Sequence, residues 1–279
     1  SIPRSDTGSV RDALAAALTH LVTATPAIPA TQMATGSYSG NGADNRSITG
    51  VGFQPDVVII KGDTSQNAVM RTSTMTGDAA KPLAGGTALT SNLIQTLDSD
   101  GFTIGTDARV NSSSVTYYWT AFKVGAGEMK VGSYTGNGTS QSVTGQDFAP
   151  KYVIVMSAIG AEAVHRSSTM TKSYPFNVDN SDTGTWITSV DADGFSVGNS
   201  SQVNTSGTTY HYVAFAETTG KMKVGSYTGN ATDARSITGA GFRPQYAIVR
   251  GEGSRETVHK PASTGSTTDT TMGFDNDAN

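Results

Sequence analysis

The run Met129-Lys-Val-Gly-Ser-Tyr-Thr-Gly-Asn-Gly138 has two close copies in this chain, and they limit what the rest can fold into. The earlier copy is Met33-Ala-Thr-Gly-Ser-Tyr-Ser-Gly-Asn-Gly42 and the later one Met222-Lys-Val-Gly-Ser-Tyr-Thr-Gly-Asn230. Arg46-Ser-Ile-Thr-Gly50 with Gly52-Phe-Gln-Pro55 recurs as Arg235-Ser-Ile-Thr-Gly239 with Gly241-Phe-Arg-Pro244; Phe148-Ala-Pro150 is the middle version. Gly36, Gly132 and Gly225 are spaced by 96 and 93 residues. That is too long for a short solenoid repeat and close to one small β-sandwich. The spacing predicts tandem domains: an N-terminal segment over 1–32, repeats over 33–128 and 129–220, and an incomplete repeat over 221–279.

Strand expectations follow from short Val/Ile/Thr/Tyr runs separated by Gly, Asn and Asp. In the first repeat they fall at 35–38, 56–61, 68–71, 93–97, 102–105 and 115–123. In the last of these, Tyr117, Trp119 and Ala121 point one way and Tyr118, Thr120 and Phe122 the other, because side chains alternate across a strand. Apolar side chains on both faces predict a strand central to its sandwich. The second repeat retraces the elements: Ala163–Met170 matches Ala68–Met75, Asp191–Gly198 matches Asp98–Gly105, and Tyr210–Phe215 matches Tyr117–Phe122. The fold class expected is all-β, tandem antiparallel sandwiches of jelly-roll or immunoglobulin-like type, with one short N-terminal helix.

That helix is predicted over Val10–Thr23. Ser9 and Asp12 have the spacing of a capping box, and Val10, Leu14, Leu18 and Leu21 fall on one helical stripe. Pro26 ends it, and residues 27–32 form an extended tether. A helix this short is marginal alone in water, so its stripe needs a partner: either the first repeat, or a larger assembly and other copies of the chain.

The third repeat has no copy of Trp186–Val190, Phe195–Val197 or Tyr210–Phe215. Sheets left without these strands expose unpaired amides and an apolar face. Either the natural chain continues past Asn279, or another chain lends the strands.

Charged residues make up 15% of the 279 residues and the net charge is −4. No basic field exists to draw nucleic acid or an anionic membrane, and no apolar run has the length of a membrane span. The absence of cysteine excludes disulfides and thiolate metal sites.

Polar motifs offer little chemistry. Asp98-Ser-Asp100-Gly101 and Asp191-Ala-Asp193-Gly194 superficially match a calcium loop or a glycosidase carboxylate pair. Further oxygen ligands do not follow, and a lone active site would have to be built twice; Asp-Gly hairpin turns account for both runs. His20, His165, His211 and His259 are scattered, with His165 in the place of Met70 and His211 in that of Tyr118, unlike zinc ligands. Gly-x-Ser-x-Gly is absent, and Gly40-Asn-Gly42 and Gly136-Asn-Gly138 lack the Lys-Ser/Thr of a phosphate loop. No catalytic residue, metal ligand or cofactor is assigned. Arg71-Thr-Ser-Thr-Met75 and Arg166-Ser-Ser-Thr-Met170 remain, read as an edge strand entering a loop or as a ligand or subunit contact through Arg71, Ser73, Arg166 and Ser168.

Taken together, the Gly-Ser-Tyr-Thr-Gly-Asn-Gly, Arg-Ser-Ile-Thr-Gly-x-Gly-Phe-x-Pro, Asp-Gly-Phe and Tyr-Tyr-Trp-Thr-Ala-Phe elements resemble β-rich repeats of bacteriophage and prophage virion proteins, among tail fibres, spikes and capsid-associated proteins. The likeness covers about Met33 to Asn279. It implies a structural or host-contacting role on an extracellular particle, with copies of the chain, other virion proteins and a host-surface glycan as candidate partners. The competing reading is a secreted or cell-surface carbohydrate-binding or adhesive module or filament subunit. In that reading Tyr38, Tyr134, Tyr227, Trp119 and Trp186 are sugar-stacking platforms or, alternatively, core residues. A depolymerising spike enzyme is a third.

Overall fold

A computed structural model describes residues 30–177, 184–252, 255–265 and 271–275. The expected helix, with Val10, Leu14, Leu18 and Leu21, lies outside these residues. What is described is all-β, as the alternating patterns predict.

The first repeat supplies β1 (Gln32–Ser39), β2 (Arg46–Thr49), β3 (Val57–Gly62), β4 (Val69–Thr72), β5 (Lys81–Pro82), β6 (Ile94–Asp98), β7 (Gly101–Ile104), the single turn α1 (Ala108–Asn111) and β8 (Thr116–Lys123). They form a five-stranded antiparallel sheet in the order β1-β8-β3-β4-β5, covered by a three-stranded sheet in the order β2-β7-β6. The second repeat supplies β9 (Met129–Thr135), β10 (Gln141–Thr144), β11 (Tyr152–Ser157), β12 (Val164–Ser167), β13 (Tyr174–Pro175), β14 (Ile187–Asp191), β15 (Gly194–Val197) and β16 (Thr209–Phe215). Its sheets repeat the plan as β9-β16-β11-β12-β13 and β10-β15-β14. Even an irregularity is copied: the register slips between Ile94 and Thr96, and again between Ile187 and Ser189.

Each complete repeat has a core between its two sheets. In the first, Tyr117, Trp119 and Ala121 pack there with Val58, Ile60 and Phe102. In the second, Tyr210, Tyr212 and Ala214 do the same with Val153, Val155 and Phe195. The opposite faces of the five-stranded sheets are also apolar, and they meet. Val57, Ile59, Met70 and Phe122 of the first repeat share one cluster with Tyr152, Ile154 and Val213 of the second and Phe274 of the third. All six residues of β3 and of β11 are therefore buried.

This shared cluster departs from the expectation of separate tandem domains. The boundaries near residues 128 and 220 mark the repeats, but these are three units around one core. Polar ties join them in a ring. Lys81 of the first repeat donates from Nζ to the carbonyls of Ile159 (3.2 Å) and Ala161 (2.6 Å) of the second. The second and third are tied by the Thr257 amide on the Phe176 carbonyl (3.3 Å) and by the contact of His165 Nε2 with Thr257 Oγ1 (3.0 Å). The ring closes where the Ala68 amide donates to the Phe274 carbonyl (2.8 Å) and Lys61 Nζ to the Asp275 carbonyl (3.1 Å). Such head-to-tail contacts are heterologous, and here the rotation closes.

The third repeat contributes β17 (Tyr246–Arg250), β18 (Thr257–Pro261) and β19 (Met272–Gly273), a three-stranded sheet in that order. Of Met222–Thr228, the counterpart of β1 and β9, Met222 is bridged to Thr218 and residues 223–228 are not in strand pairing.

Candidate functional site

The polar runs serve the fold. Asp100 accepts from the Gly50 and Gly52 amides at 3.2 and 2.6 Å, and Asp193 from the Gly145 and Asp147 amides at 3.1 and 2.8 Å. Asp98 accepts from the hydroxyls of Thr96 and Thr103, and Asp191 from that of Ser196. These carboxylates pin the hairpins to the neighbouring Thr-Gly turns, which is the turn reading of both motifs. Buried Asn111 and Asn204 hold the Gly-Asn-Gly turns: the Asn41 amide donates to Asn111 Oδ1 (2.9 Å) and the Asn137 amide to Asn204 Oδ1 (2.8 Å). Among the described residues no group of three or more His, Asp or Glu side chains is placed to hold a metal ion. No helix among them is long and apolar enough to cross a membrane.

Arg71, a candidate contact residue, is turned inward. It is buried and donates to the carbonyls of Ala79, Ile94 (3.2 Å), Met75 (3.1 Å) and Gly77 (2.7 Å), all in its own repeat. Burial pulls its pKa below the ordinary guanidinium value. Arg166 likewise donates to the Ile187 carbonyl at 2.9 Å. Ser73 and Ser168 are exposed, with their amides on the Asp56 and Lys151 carbonyls. Contact between units passes instead through the next residue of each run. Thr74 Oγ1 lies 2.8 Å from His211 Nδ1 in the second repeat, and Thr169 Oγ1 lies 3.5 Å from the Gly225 carbonyl in the third.

Two histidines line the shared core at equivalent places. His165 is wholly buried, its Nδ1 3.2 Å from the Tyr152 hydroxyl, and its ring lies against Phe176. His259 is stacked on Phe274 with ring centroids 4.2 Å apart and meets Tyr246 edge-on. Burial, with Arg250 near the first and Lys61 near the second, lowers both pKa values to about 3.

A slot lies beside β17, at the place of the strand whose copy is missing from the third repeat. In the complete repeats β8 lies between β1 and β3, and β16 between β9 and β11. In the third, among the described residues, no strand pairs with β17 on the side away from β18. Between β17 and Met222–Thr228 lies a cavity of about 1280 Å³ that opens onto the shared core, where it is lined by Phe122, Phe215 and Tyr152. Val249, whose counterparts Ile60 and Val155 are wholly buried, is 39% exposed. Ile237 is 51% exposed, against 8% for both Ile48 and Val143.

The glycine of Gly-Ser-Tyr explains itself in the complete repeats. A Cβ on Gly36 would sit 2.3 Å from the Trp119 ring, and one on Gly132 2.2 Å from the Tyr212 hydroxyl oxygen. Each glycine clears room for an aromatic of the adjacent strand. Around Gly225, a Cβ would meet nothing within 4 Å. The pattern holds four residues on: Gly40 and Gly136 lie against the Ser112 and Thr205 carbonyls, and Gly229 faces open space. The motif tyrosine behaves the same way. Tyr38 stacks on Tyr117 and Tyr134 on Tyr210, each pair with centroids 5.3 Å apart. Tyr227 is 50% exposed, with Arg235 over its ring.

Residues 28–259 match the family described as Domain of unknown function (DUF7483). The chain belongs to the DUF7483 family. No curated protein and no solved structure matches it. The DUF7483 match takes in both complete repeats and reaches the third, where β17 and the slot lie.

Proposed function

We propose that this DUF7483 protein is a non-enzymatic structural component of a phage-like virion, acting in assembly and in contact with the host surface. The observation that carries the reading is one unit used three times around a common core. Buried polar groups support it: Lys61, Lys81, Arg71, Asn111 and Asn204 are spent on carbonyls and amides of the chain itself. The repeat likeness to virion proteins points the same way. Particles banded in a density gradient from the source culture and analysed by mass spectrometry test this. The protein should co-band in many copies per particle; recovery only as a free monomer would end the virion reading.

The second reading, a secreted or cell-surface carbohydrate-binding module, has one observation in its favour: the exposed ring of Tyr227. Its other platforms face inward. Trp119 is buried, Trp186 packs on the second repeat's core, and the Tyr38 and Tyr134 hydroxyls donate to the Val110 and Val203 carbonyls. A glycan array with the intact chain separates the readings: strong binding abolished by Tyr227→Ala would favour the module.

A further inference from the structure

We infer that the turn after β11 is a binding site for one ammonium group, which the second unit cannot fill itself and which Lys81 fills from the first. Lys81 thereby decides which unit can stand before the second in the ring, a role independent of whether the chain is a virion component.

The site emerges from its copies. Val57 pairs with Thr72 and Tyr152 with Ser167, so the turns after β3 and β11 correspond residue by residue, Thr64 to Ile159 and Gln66 to Ala161. In the first unit both carbonyls accept from Lys61 Nζ, Thr64 at 2.8 Å and Gln66 at 2.5 Å. In the second the corresponding carbonyls accept from Lys81 Nζ, Ile159 at 3.2 Å and Ala161 at 2.6 Å. The exchange has its cause at Met156, which holds the place of Lys61 and has no proton to give. An ammonium has three donors, and Lys81 spends its third on the Thr87 carbonyl of its own unit at 2.6 Å. Both lysines are buried, so a carbonyl left without its donor there is costly.

The junctions between units are keyed by the same exchange. Lys61 also reaches the Asp275 carbonyl of the third unit at 3.1 Å. Arg250, its counterpart in the third unit, reaches the corresponding Asn177 carbonyl of the second at 2.7 Å. Met156 cannot make this contact to Ala84 of the first, and Asn67 Nδ2 takes that carbonyl at 3.0 Å. Pairing sets Lys81 against Met70, Tyr174 against His165 and Met272 against His259, so Tyr174 and Met272 are the counterparts of Lys81. Where the following unit carries Lys61 or Arg250, the preceding one carries Met272 or Tyr174; where it carries Met156, the preceding one carries Lys81. A third unit placed before the second would bring Met272 and leave the Ile159 and Ala161 carbonyls without their donor. A first unit placed before another first unit would bring Lys81 and Lys61 to the same two carbonyls.

The test exchanges the two residues in the intact chain and reads the unfolding equilibrium constant in urea at pH 7. Lys81→Met copies the third unit and should raise the constant at least about a hundredfold by stranding buried carbonyls. Met156→Lys copies the first unit and should raise it about a hundredfold as well, by bringing a second ammonium to carbonyls already taken. The double variant Lys81→Met/Met156→Lys rebuilds here the pairing of Met272 with Lys61 that closes the ring. It should return to within about tenfold of the native chain, two losses that cancel instead of adding. Lys81→Met/Met156→Leu should stay as weak as Lys81→Met, which separates the ammonium from packing. If a single variant does not fold, the double variant Lys81→Met/Met156→Lys must still do so. Losses that add in that double variant, its failure to fold, or equal restoration by leucine would overturn the inference.

Discussion

Lowering the pH from 7 to 5 should cost this fold about 4 kcal/mol through His165 and His259 alone, as two ordinary histidines become protonated on unfolding. Both are buried and their folded pKa values are depressed to about 3, below the ordinary 6.5. Between those limits the unfolded chain binds protons that the folded chain refuses. The stabilisation is thus fully present above the unfolded value and is lost as the pH falls toward the folded one. An unfolded imidazole is about one-quarter protonated at pH 7 and almost fully at pH 5, which amounts to roughly 2 kcal/mol per histidine. Urea unfolding followed by tryptophan fluorescence at the two pH values measures the loss. The control is supplied by the molecule, which places Met70 at the equivalent site. The double variant His165→Met/His259→Met should lose far less between pH 7 and 5. His211, also depressed by burial, leaves it a smaller residual slope. Parallel losses in the native chain and the double variant would refute the reasoning.

Three further outcomes can be checked by the same unfolding assay. Gly132→Ala should cost about 1–3 kcal/mol by overpacking against Tyr212, while Gly225→Ala should stay within about 0.5 kcal/mol. Asn111→Ala and Asn204→Ala should each cost about 2 kcal/mol or more, because the buried carbonyls of Gly105 and Gly198 and the amides of Asn41 and Asn137 lose their partners. Arg71→Met should cost about 3 kcal/mol by stranding the carbonyls that its guanidinium holds.

Much of the fold was legible because it is written more than once. Repetition of Gly-Ser-Tyr and Asp-Gly-Phe set the boundaries, and two-sided alternation in Tyr117–Phe122 marked a central strand. The shared core was harder to read. Val57-Val-Ile-Ile60 shows that both faces of a strand are buried, but not whether the second face meets its own repeat or another. Arg71 was equally ambiguous: a run of arginine and hydroxyls looks the same whether it points to a partner or to carbonyls 4 to 23 residues further along the same chain. The short α1 carries no periodicity to detect. The slot had a trace in the sequence, a missing strand partner; what the sequence could not give was the emptiness around Gly225.

Because the three units are linked covalently, the ring closes within one molecule and survives any dilution. Loosening any one tie, such as Lys81 on the Ala161 carbonyl, is then felt by all three units, since each borders the same apolar cluster.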